Sequence, residues 1–79
     1  MGCNHRGALD LAREGNWREA HHLVQPHYDE LSCLIHAYLH RVEGDPGNAG
    51  YWYRRAGAEM PEDTLEAELE RLYGRVGAQ

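Results

Sequence analysis

Six histidines in 79 residues carry most of the chemistry this chain could perform. Cys33, His36, His40 and Glu43 follow one another at spacings of three, four and three. On a helix turning by about 100° per residue they fall within about 80° of one another. Neighbours three and four apart on a helix stand close enough for their donors to converge on one ion. His21 and His22 lie on the preceding helix and can complete the set from the side. Thiolate, imidazole and carboxylate together suit a divalent transition metal such as zinc, nickel or copper. The spacing reproduces no standard zinc motif, and the same residues also suit packing in a helix interface. His36 or His40 paired with Glu43 is a conceivable acid/base couple, and Cys33 with His36 a conceivable nucleophile pair. No nucleophile elbow, phosphate loop or oxyanion motif accompanies them, so the sequence weighs against an enzyme and leaves the question open.

The second concentrated stretch is Tyr51-Trp52-Tyr53-Arg54-Arg55. Aromatic residues and Arg anchor protein interfaces. On a helix these five point in all directions, so Trp52 and Tyr53 are expected in the core. Tyr51, Arg54 and Arg55, together with Tyr38, are the candidate partner-binding residues. Trp17 and Tyr28 flank turns and read as packing.

These residues must be positioned by helices. A helix from about Asn4 to Glu14 is expected, interrupted by Gly7 and ended by Gly15. Asn16 with Glu19 three residues on reads as a capping box for a second, which Pro26 stops. Leu31, Leu34, Ile35, Tyr38, Leu39 and Val42 form one apolar stripe of helical period, the clearest in the chain. Gly44 ends that third helix. Asp45 and Pro46 supply the cap and first turn of a fourth, which runs toward Gly57. Pro61-Glu62-Asp63 reads as the opening of a fifth, with Leu65, Leu69, Leu72 and Tyr73 on its apolar side and Glu66, Glu68 and Glu70 keeping its outer face wet.

Glu14 and Glu43, Gly15 and Gly44, Ala8 and Ala37, and Ala20 and Ala49 are each 29 residues apart. A period of this length marks a helical-repeat architecture. Over residues 33–61, Ala37, Gly44, Ala49, Tyr53, Ala56 and Pro61 stand where the tetratricopeptide repeat has its small, turn, aromatic and proline positions, and the chain resembles that family there. Residues 4–32 resemble it less closely, through Ala8, Gly15, Ala20 and Val24. Cys33, His36 and His40 depart from the motif, which has apolar or aromatic residues at those places. The run from His36 to Asp45 and on through Gly57 is also similar to small bacterial helical proteins. The resemblance implies an all-α domain of about five short helices over residues 1–79. Its parts are two antiparallel helix-turn-helix repeats, about 4–28 and about 30–57, and a capping helix at about 62–74. It further implies a scaffold that holds a protein or peptide partner.

Composition narrows the remaining classes. Arg supplies all eight basic residues against thirteen acids, for a net charge of −5. An acidic chain repels a phosphate backbone, so no nucleic-acid partner is expected. No apolar run reaches the ~18–20 residues a bilayer span needs. Two cysteines without a framework point to a reducing, cytoplasmic setting. A chain of this size buries little surface on its own, and Leu31, Tyr38 and Tyr51 at an open edge suggest a homodimer. The expected function is therefore a protein-interaction module; the alternative is a metal- or small-ligand-binding protein using the histidine face.

Overall fold

The computed structural model describes residues 2–78. Among them are five helices and no strand: α1 (His5–Arg13), α2 (Trp17–Val24), α3 (Glu30–Glu43), α4 (Pro46–Arg55) and α5 (Leu65–Gly77). The all-α architecture expected from the sequence is therefore the observed one.

The local signals act through ordinary capping chemistry. The Asn4 side chain accepts the Gly7 amide at the start of α1, and a Cβ at Gly7 would lie 2.3 Å from the Asn4 amide nitrogen. The glycine that interrupts the helical pattern therefore makes room for its cap. Asp45 accepts the Asn48 amide, and Pro46 sits in the first turn of α4, where its missing N–H costs nothing. Gly44 closes α3 with φ +84°, a left-handed conformation that any Cβ would strain. Asn16 precedes α2 but its side chain makes no cap hydrogen bond, so the expected capping box does not form. The fifth helix starts three residues later than Pro61-Glu62-Asp63 suggested. Thr64 is its cap, accepting the Ala67 amide, and the helix runs through Gly74 to Gly77.

α1 packs against α2 and α3 against α4, and α3 is the centre: it touches α1, α2, α4 and α5. Its residues from Leu31 to His40 are all buried, the leucine stripe and the opposite polar face alike. A helix buried all round is a core helix. Ala8, Ala20, Ala37 and Ala49 are fully buried, the small residues that let neighbouring backbones approach.

The last helix does not add a layer beyond α4. It lies back across α1 and α3, and the molecule measures 28 × 25 × 22 Å, with no elongated stack axis. Polar latches hold it there. Glu68, only 2% exposed, takes the Arg41 guanidinium at 2.5 Å and the Tyr53 hydroxyl at 2.5 Å. Arg41 also donates to the Asp63 carbonyl at 2.7 Å. Tyr73 donates to Asp10 at 2.5 Å, and Arg75 to Glu30 at 2.9 Å. The run of acids is thus not one solvated face, because Glu68 points inward as a paired carboxylate. Leu31 and Tyr38 are each 5% exposed and belong to the chain's own core, so neither is available at an open edge or to a partner. Tyr51 remains exposed.

Candidate metal centre

Because α3 is covered on both sides, its polar face meets α2 on one flank and α4 on the other. His36 and His40 on α3 converge with His21 from α2, and one ring nitrogen of each lies within 4.8 Å of the others. His21 Nε2 and His36 Nε2 are 2.9 Å apart, within hydrogen-bond distance, so a single proton is shared between them. Placing that proton on His36 Nε2 leaves His36 Nδ1, which is buried without a partner, as a bare lone pair. That is the cheaper state, because a buried N–H without an acceptor costs more than a bare acceptor.

Aromatic walls fix these rings. Trp17, one turn before His21 on α2, stacks on it with centroids 4.8 Å apart and planes 10° apart. Its indole N–H donates to the Leu39 carbonyl at 2.6 Å, anchoring the ring to α3. Trp52 from α4 stacks on His36 at 3.9 Å and 14°. His40 Nδ1 is bonded to Glu43 Oε1 at 2.6 Å, which sets its tautomer, with the proton on Nδ1 and the lone pair on Nε2. A carboxylate behind a histidine in this way orients a metal ligand and raises its basicity.

Burial favours the neutral ring at His36 and His21. Burial, followed by the proximity of His21 and His40, pushes His36 down to about 4. His21 is lowered by burial and then by His40. Metals bind the neutral ring, so little proton competition is expected near neutral pH. Tetrahedral coordination at about 2.0–2.1 Å places nitrogens about 3.3–3.4 Å apart. The 2.9 Å between His21 and His36 is shorter than that, and all three donors lie within 4.8 Å of one another, so the rings must shift to receive an ion. This histidine cluster could hold a metal ion.

Protein-family, curated-protein and solved-structure comparisons gave no match.

Of the residues expected at a metal site, the structure therefore brings together His21, His36 and His40, with Glu43 one bond further out. Cys33 is buried, and His22 is exposed; neither joins a converging donor group among the described residues. Burial raises the Cys33 thiol, which keeps it protonated. Asp45 comes near His40 and Glu43 as a second donor group, but its carboxylate is engaged as the α4 cap by Asn48. Trp17 and Trp52, expected as packing residues, do pack, but against the histidine rings, which the sequence did not show. Trp17 carried a signal, since it stands four residues before His21; Trp52 meets His36 across two helices and carried none.

A second polar cluster, His5, Asp29 and Ser32, has the composition of a hydrolytic triad but not its geometry. One nitrogen, His5 Nε2, faces both Ser32 Oγ at 2.9 Å and Asp29 Oδ2 at 3.0 Å. Ser32 Oγ donates to Asp29 Oδ1 at 2.7 Å. A nucleophile must give its proton to the base, with the acid on the base's other nitrogen. Here the serine proton goes to the carboxylate, and the cluster fastens the start of α1 to the cap of α3.

Proposed function

We propose that this protein binds one divalent transition metal ion, zinc, copper or nickel, through His21, His36 and His40, with Glu43 orienting His40. The observation that carries the reading is the convergence of three buried or half-buried imidazoles from two helices, their rings held by Trp17, Trp52 and Glu43. Three histidines burying their nitrogens against one another contribute little to a core that leucine would not contribute better. Affinity for first-row ions at an all-imidazole site follows the usual order, so copper binds more tightly than zinc or nickel. A thermal melt of tag-free protein tests the reading. An ion at a hundredfold excess over its Kd adds ~2.7 kcal/mol to folding, which raises the Tm of a domain this size by roughly 10–20 °C. A melt that is identical with zinc and with a strong chelator contradicts it.

The exposed side of α4 supports a second reading, that of an interaction module. Arg55 lies over the rings of Tyr28 at 4.8 Å and Trp52 at 5.4 Å, and bonds the Tyr51 hydroxyl at 3.0 Å. Tyr28 and Tyr51 are 62% and 44% exposed, and Arg54 is exposed beside them. Aromatic and guanidinium groups gathered at a surface are the usual anchors of a protein partner, including a second copy of the chain. Light scattering at high micromolar concentration tests the second copy: a dimer mass lost on Arg55→Glu supports it, and a monomer mass for the unaltered chain ends it.

A further inference from the structure

We infer that the ion held by His21, His36 and His40 completes its coordination with a small exchangeable monoanion, hydroxide by default, and that the site is therefore an anion receptor as well as a metal site. This rests on the metal reading above and adds the identity of the fourth ligand.

The argument is one of charge and coordination number. Three imidazoles are neutral donors, so a divalent ion among them keeps its whole double charge. Glu43, bonded to His40 Nδ1 at 2.6 Å, offsets part of it, and the rest of the lining offsets little. His36 and His40 are 2% and 8% exposed, and two indoles, Trp17 and Trp52, form the flanking walls. Burying uncompensated charge in such surroundings is costly. The anionic groups nearest in the fold are committed elsewhere. Glu43 is held on His40 Nδ1, Asp45 caps α4 through both of its oxygens, and Cys33 joins no converging group among the described residues. A three-histidine site also leaves one tetrahedral position to an exogenous ligand. With Glu43 counted, an incoming monoanion cancels the charge that remains and fills that position in one step. Burial of His36 and His40, only 2% and 8% exposed, restricts the ligand to a few atoms. Azide, thiocyanate, formate and halides belong to that class; a bulky or multiply charged anion does not.

The test uses the full chain without a polyhistidine tag, loaded with one equivalent of copper(II), and sodium azide as the probe. Bound azide gives copper a ligand-to-metal charge-transfer band that neither partner shows alone. The expected result is a band that saturates as a single site, competes with formate or chloride so that the apparent azide Kd rises several-fold, and does not change with Cys33→Ala. Copper bound at one equivalent with no new band overturns the inference alone, because the protein then supplies every ligand. Copper that is not retained at all overturns the metal reading and this inference together. Glu43→Ala separates a hidden fourth protein ligand from an open position: an azide band that appears only in that variant shows the carboxylate closing the site, and also overturns the inference.

Discussion

Glu68→Gln is the substitution with the most to say about how α5 is held. The change keeps shape and removes one charge. In the native protein Glu68 receives Arg41 on one oxygen and Tyr53 on the other, at 2.5 Å each, with the Arg41 side chain 16% and the Glu68 side chain 3% exposed. The glutamine retains an acceptor for one of those donors. Its amide N–H₂ then faces the other donor, and the Arg41 charge keeps only the more distant Asp63 carboxylate, at 3.9 Å. Breaking one side of a buried pair costs about 3–5 kcal/mol; Arg41 keeps the Asp63 carbonyl, which lowers the expected loss to about 2–4 kcal/mol. A domain of this length holds roughly 4–12 kcal/mol in total, so the variant is expected to melt about 10–25 °C lower. Urea denaturation followed by far-UV circular dichroism measures the change. Glu66→Gln and Glu70→Gln serve as controls and should stay within about 0.5 kcal/mol of the parent. If Glu68→Gln falls in that same narrow band, the carboxylate is not buried between Arg41 and Tyr53 and the placement of α5 across α3 is wrong.

Other consequences are as direct. In the metal-free protein His36 is pushed down from 6.5 to about 4 by burial and then by His21 and His40, so between those values the unfolded chain binds the proton and the folded one does not. Stability is thus complete above about pH 6.5 and falls as pH drops toward 4, by roughly 2–3 kcal/mol once solvent screening is allowed for. Urea titrations at about pH 7.5 and about pH 4.5 measure it, and His36→Gln should flatten the difference. Trp17→Phe removes the donor to the Leu39 carbonyl and part of the wall beside His21, with an expected loss of about 1–3 kcal/mol in the same assay. Gly44→Ala forces a Cβ into φ +84° and should cost about 1 kcal/mol, whereas Gly74→Ala, inside α5 with open space at its Cβ, should gain a few tenths up to about 1 kcal/mol.

Helix positions were legible in the sequence wherever a local device marks them. Gly44, Asp45 and Pro46 fix the α3–α4 turn because capping, left-handed backbone and a first-turn proline are all properties of a few adjacent residues. The start of α5 is misread because Pro61-Glu62-Asp63 imitates a first turn, while Thr64 does the capping. What periodicity could not convey is the burial of both faces of α3. A stripe through Leu31, Ile35 and Leu39 shows that one side is covered; coverage of the other depends on where α2 and α4 come to rest. The same limit separates His21 from His22, adjacent in the chain and on different sides of α2. Glu68 looked like one surface acid among several because its partners, Arg41 and Tyr53, are 27 and 15 residues away. Long-range pairing leaves no local pattern to read.

His21, His36 and His40 are the ligands we propose for the metal site. Calorimetric titration of zinc into tag-free protein, alongside His21→Ala, His36→Ala, His40→Ala, His22→Ala and Cys33→Ala, tests this assignment most directly. One equivalent bound by the parent, retained by the His22 and Cys33 variants and lost in each of the other three, is the predicted result. Zinc bound equally well after His36→Ala, or bound only while Cys33 is present, contradicts it.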